Sequence, residues 1–92
     1  MGFYEKENNG FSALYRYVLK HSKESYVFTY GEKSIIATFD CMYESDNGLE
    51  DDEDGYDEYH AIGFLDINTE ELFEVNYSNL PTSIVCGKDK IL

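Results

Sequence analysis

The chain has 92 residues, 42% hydrophobic and 16% aromatic, enough for one compact core and too few for a second. Its 19 acids against 7 bases give a net charge of −12. That balance excludes direct nucleic-acid binding, because a phosphate backbone is held by Lys and Arg, and it argues against an anionic membrane surface for the same reason.

The N-terminal stretch, residues 1–9, is polar apart from Phe3 and Tyr4 and is expected to be loose. It has no basic segment followed by an apolar run, so it does not read as a secretory signal. Gly2 does not open a myristoylation motif, because position 6 is Lys. No apolar run reaches the roughly 18 residues of a membrane span. The expected compartment is the cytoplasm.

From Phe11 the apolar residues Phe11, Leu14, Tyr15, Val18 and Leu19 recur at helical spacing and predict a helix over 10–22. Asn9 or Ser12 can cap its start, and Arg16, Lys20, His21 and Lys23 gather toward its end, where the helix dipole favours positive charge. Alternation predicts a first strand over 26–30, a turn at 31–33 and a second strand over 34–44. In that second strand Ile35, Ala37, Phe39, Cys41 and Tyr43 are expected on one face, and Ile36, Thr38, Asp40, Met42 and Glu44 on the other. A third strand over 59–67, apolar on both faces, is expected to be central, with Gly63 marking a bulge or the place where the helix packs. A fourth strand over 72–77, a helical turn at 78–81 and a fifth strand over 82–86 follow, and 87–92 is expected to fray.

The fold class is therefore mostly β (α+β), a single domain over 1–92. An N-terminal helix precedes about five antiparallel strands, which form either a small SH3-like or Sm-like barrel or an open sheet with the helix packed on it. The leading helix, Phe39-Asp40 and Val85-Cys86-Gly87 resemble an Sm-like barrel in shape alone. The Asn and Arg side chains of an RNA pocket are missing, so RNA binding is not implied.

In the segment 44–58 nine acids (Glu44, Asp46, Glu50, Asp51, Asp52, Glu53, Asp54, Asp57 and Glu58) stand without a base. Outside it the chain holds ten acids and seven bases, so the negative field is focused. So many like charges cannot be desolvated together, and the segment is expected to be a solvated loop interrupting the sheet. Glu50, Asp51, Asp52, Glu53, Asp54 and Asp57, with the aromatic anchors Tyr56 and Tyr59, read as a docking site for a basic protein surface. In its sharpest form this is an inhibitor that mimics nucleic acid. The bland alternative is a charged loop that prevents sheets from associating edge to edge.

Glu50, Asp52, Asp54 and Glu58, with Gly55 at the sixth position, also match part of an EF-hand loop, and weak Ca2+ binding is the alternative function. The match fails at position 12, which is Ala61. Cys41 and His60 could form a nucleophile–base pair only if their strands turned them to one face, and the alternation separates them. With no phosphate-binding Gly loop and no hydrolase or metalloprotease motif, the chain reads as non-catalytic and cofactor-free. Cys41 and Cys86 lie 45 positions apart in apolar strands and read as reduced core thiols. Either a monomer or a homodimer is allowed, the latter burying Ile36 and Met42 together.

Overall fold

The computed structural model describes residues 3–92; the first two residues of the stretch expected to be loose, Gly2 among them, lie outside this range. The helical spacing is realised as α1, Gly10–Lys20. Asn9 caps it, its side-chain oxygen accepting the Phe11 N–H at 2.9 Å, while the Ser12 hydroxyl donates to the Asn9 carbonyl. Phe11, Leu14, Tyr15 and Val18 are buried, whereas Leu19, at the margin of the apolar stripe, is 63% exposed. At the C-terminal end the His21 N–H reaches back to the Tyr17 and Val18 carbonyls, and its ring stacks on Tyr17 at 3.9 Å.

Six strands follow: β1 (Ser25–Tyr30), β2 (Lys33–Asp46), β3 (Glu58–Asp66), β4 (Leu72–Val75), β5 (Ser83–Cys86) and β6 (Asp89–Lys90). They form one antiparallel sheet in the order β4-β3-β2-β1-β5-β6. The outer strands β4 and β6 do not pair with each other, so the sheet is open and the barrel alternative is set aside. β3 is flanked on both sides, as its two apolar faces predict. The C-terminal residues do not fray. β6 pairs with β5, and Ile84 exchanges backbone bonds with Ile91 and Leu92 at 2.8–3.3 Å. The predicted helical turn at 78–81 is instead a turn tied by asparagines, in which Asn79 Oδ1 accepts the Asn76 N–H and Asn76 Oδ1 accepts the Ser78 N–H.

The helix covers one face of the sheet. Its buried side chains meet Tyr26, Phe28, Ala37, Ile62, Phe64, Val75, Ile84 and Cys86 in a single core. Phe64 is central, with its ring centroid 4.7 Å from Phe28 and 5.6 Å from Tyr26. Burying each such side chain contributes about 1.5–3 kcal/mol.

The register of β2 against β3 slips between Phe39 and Cys41, leaving Asp40 as a bulge. A bulge adds one residue and so exchanges the two faces of everything beyond it. Ile35, Ala37 and Phe39 share one face as expected, and it is this face that the helix covers, but Cys41 and Tyr43 turn to the far face while Met42 joins the helix side. Cys41 is accordingly an exposed thiol and not a core one; Cys86 is buried, and both are free. Ile36 and Met42 now lie on opposite faces, so no single surface can bury both. Gly63 is also on the far face, away from the helix. A Cβ there would come within 3.1 Å of Cys41 Sγ, so the close approach comes from the bulged neighbour strand and not from the helix.

The N-terminal segment is docked from Phe3 onward. Glu5–Glu7 forms a 3-10 turn, and Glu7 is fully buried. Its carboxylate accepts the His60 N–H at 2.6 Å, the His60 ring Nδ1–H at 2.7 Å and the Tyr4 N–H at 3.0 Å. Burial pushes the Glu7 carboxyl pKa up, but these hydrogen bonds outweigh it and hold the group below the usual 4.5. The native state therefore binds fewer protons than the unfolded chain between the two values, so the stabilisation is complete above the usual value and is lost as pH falls through the native one. Glu7→Gln, which sets a donor against donors, is expected to cost about 2–3 kcal/mol in urea unfolding at neutral pH. The gap between variant and wild type should close on acidification; a gap that stays constant with pH would show that the Glu7 charge is not what matters.

Candidate functional site

From Tyr43 and Ala61 outward, β2 and the start of β3 continue beyond β1 and β4 as a two-stranded arm, and the principal extents of the molecule are 43 × 26 × 24 Å. The acidic loop is shorter than the charge pattern implies. Glu44, Asp46 and Glu58 belong to strands, and the loop proper spans 47–57. Asn47 organises it, donating its amide to the Gly55 carbonyl at 2.7 Å and exchanging backbone contact with Asp57 at 3.0 Å. Gly48 and Gly55 sit at φ +84° and +85°, a left-handed conformation that side chains disfavour, and so allow the chain to reverse.

The eight residues assigned to docking divide by environment. Glu50, Asp51, Asp52, Glu53 and Asp54 occupy the tip, all exposed, and among the described residues none of their carboxylates accepts a hydrogen bond. Tyr56 is half-buried and donates its hydroxyl to Glu58 at 3.1 Å, which raises its pKa above the ordinary tyrosine value. Tyr59 donates to the Asp46 carbonyl at 3.2 Å and sets its ring edge-on to Tyr77. Asp57 is used by the fold, accepting the Lys6 ammonium and the Tyr77 hydroxyl, the latter at 2.5 Å. Lys6 also lies over the rings of Tyr4 and Tyr77, 5.2 and 5.0 Å from their centroids. The tip is thus free and the base of the arm is clamped.

The calcium alternative required Glu50, Asp52, Asp54 and Glu58 to converge. Among the described residues no group of three or more His, Cys, Asp or Glu is placed to hold a metal ion, and Glu58 is committed to Tyr56 on β3. Cys41 and His60 are on opposite faces of the sheet, because Cys41 pairs with Gly63 while His60 shares the helix side with Ile62 and Phe64. The hydrogen bond to Asp40, burial and the Asp40 charge raise the Cys41 thiol pKa, the reverse of an activated nucleophile.

The sequence reading missed the Glu7–His60 pair and the second carboxylate near it, Glu44, whose Oε1 is 3.5 Å from His60 Nε2. One signal was present: His60 alternates in phase with Ile62 and Phe64, the bulkier apolar set of its strand, which marks it as facing the core.

Among curated proteins and among solved structures, comparison finds no match. A family model, described as Cognate immunity protein YxxD, matches residues 7–82. That span begins at the buried Glu7, takes in α1, β1 to β4 and the whole acidic arm, and ends just before β5. The chain belongs to the family of the cognate immunity protein YxxD.

Proposed function

We propose that this chain is an immunity protein that restrains a toxic partner protein by binding it, without chemistry of its own, and that the acidic arm is the element that docks. The family supplies the class of partner. The observation that carries the assignment of the surface is the arm tip, where five consecutive carboxylates, Glu50 to Asp54, are exposed and unused by the fold. Charge gathered on a braced projection raises encounter rate and selects a partner of opposite sign. The complement is a basic surface on the toxin, in the sharper form the groove with which a nucleic-acid enzyme holds its substrate. Tyr56 and Tyr59 flank the tip as half-exposed rings, suited to the rim of such a contact. Two free thiols suit a reducing compartment and support a cytoplasmic site of action.

The test is affinity capture from nuclease-treated source lysate, comparing wild type with the variant E50Q/D51N/D52N/E53Q/D54N. The variant is expected to melt at or above the wild-type temperature, because self-repulsion falls. It should lose, by on the order of a hundredfold in affinity, a protein that is toxic when expressed alone and harmless when co-expressed with this chain. Equal capture by both forms would move the docking surface off the arm. Wild-type affinity should also weaken by about tenfold or more as salt rises from about 0.1 to about 1 M and the screening length falls from about 10 to about 3 Å. A salt-independent complex would contradict a charge-led interface.

A further inference from the structure

The two edges of the arm differ. β1 begins at Ser25, opposite Thr38, so from the bulge outward β2 has a neighbour on its β3 side only. Which backbone groups this leaves open follows from the alternation of an antiparallel ladder. The Asn47 N–H bonds the Asp57 carbonyl, and the His60 N–H points away from β2 to the Glu7 carboxylate. His60 lies directly opposite Glu44, so the Glu44 N–H and C=O also point away from β3. By the same alternation so do those of Met42 and Asp46. The Asp46 carbonyl takes the Tyr59 hydroxyl. Among the described residues the N–H groups of Met42, Glu44 and Asp46 and the C=O groups of Met42 and Glu44 have no protein partner.

On the β3 side, by contrast, the fold covers part of the edge. Glu7 takes the outward N–H of His60, and Tyr77 and Lys6 close on Asp57. The β3 edge is thus occupied by the chain's own side chains at His60 and Asp57, whereas the β2 edge carries no such cover and is left as a template for a strand.

We infer that the open β2 edge, Met42–Asp46, receives an extended segment of the toxin as an added strand, with Lys or Arg at the alternate positions facing Glu44 and Asp46. This rests on the immunity reading and names how the partner is held. The commitment to a basic segment comes from the edge itself. Glu44 and Asp46 project on the same face, two residues apart, and the Glu44 side chain is 78% exposed. An opposing strand sets its side chains about 5 Å away, and among the described residues no Lys or Arg pairs with either carboxylate, the one basic neighbour being His60 Nε2 at 3.5 Å from Glu44. A second copy of this chain is the wrong occupant, because edge-to-edge pairing would set these carboxylates against each other. Met42, half-buried beside the core, offers the incoming strand an apolar contact. Backbone bonds would supply affinity and the alternating charges register.

The test uses the full chain and a synthetic octapeptide of alternating Lys and Val, with the Glu–Val octapeptide as control, read by residue-resolved amide exchange. At saturating Lys–Val peptide the amides of Met42, Glu44 and Asp46 should exchange at least about tenfold more slowly, while those of Tyr43 and Ser45, already bonded to β3, stay unchanged. The Glu–Val peptide should have no effect. Met42→Pro removes one outward donor without touching the β3 ladder or the charge, and should abolish the protection. Should that variant fold poorly, E44Q/D46N keeps the backbone intact and should weaken the peptide by about tenfold. No slowing at millimolar Lys–Val peptide, or changes confined to the far face around Val27 and Ile36, would overturn the inference. A folded Met42→Pro variant that still restrains the toxin with wild-type affinity would overturn it too, leaving the immunity reading intact. An edge that takes the peptide in a chain that restrains no toxic partner would keep β2 as a strand-accepting edge for a basic segment and remove both the toxin as its occupant and the immunity reading.

Discussion

A carboxylate without access to water survives as an anion only when donors surround it, and Glu7 has three: two from His60 and one from Tyr4. These bonds join parts of the chain more than fifty residues apart. They fix the N-terminal segment beneath the first residues of β3 and so give the acidic arm a rigid root. Without that root the arm would be a free two-stranded ribbon, which is marginally stable in water. The core is organised around Phe64 and the helix, but it does not reach the arm, and polar contacts at Glu7 and Asp57 hold the projection in place.

This arrangement lets one small domain carry a concentrated charge. Fourteen of the nineteen acids lie between Lys33 and Lys88, where there is no Lys or Arg. Their mutual repulsion is tolerable because the tip carboxylates stay in water, where high dielectric and salt weaken the interaction. Acids the fold does use, Glu7 and Asp57 among them, have been given donors. Charge for structure, at the root, and charge for the surface, at the tip, are thereby separated.

The bulge at Asp40 links this arm to the sheet. By exchanging faces it brings Glu44 to the same side as His60 and moves Cys41 and Tyr43 to the other. It also marks where β2 leaves the shelter of β1 and becomes an open edge. A single inserted residue thus separates the packed part of the sheet from the part available to a partner, in keeping with the tendency of bulges to lie at edges and beside functional surfaces.

Local chemistry was enough to place the helix, whose apolar residues repeat every three to four positions, and the first five strands, whose side chains alternate. It was also enough to mark the acidic loop, since six like charges in the span 47–57 can only be solvated. These properties depend on near neighbours in the chain, and the sequence carries them directly. The face exchange at Asp40 is different, because nothing in Phe39-Asp40-Cys41 distinguishes a regular strand from a bulged one until β3 sets the register. The ends of the acidic segment likewise depended on pairing, which drew Glu44, Asp46 and Glu58 into strands. The burial of Glu7 depended on His60, 53 residues away, and a polar N-terminus gives no local sign of such a partner. Whether the sheet closed or stayed open was also a matter of tertiary geometry, because alternation specifies which way side chains point but not which strands meet at the edges.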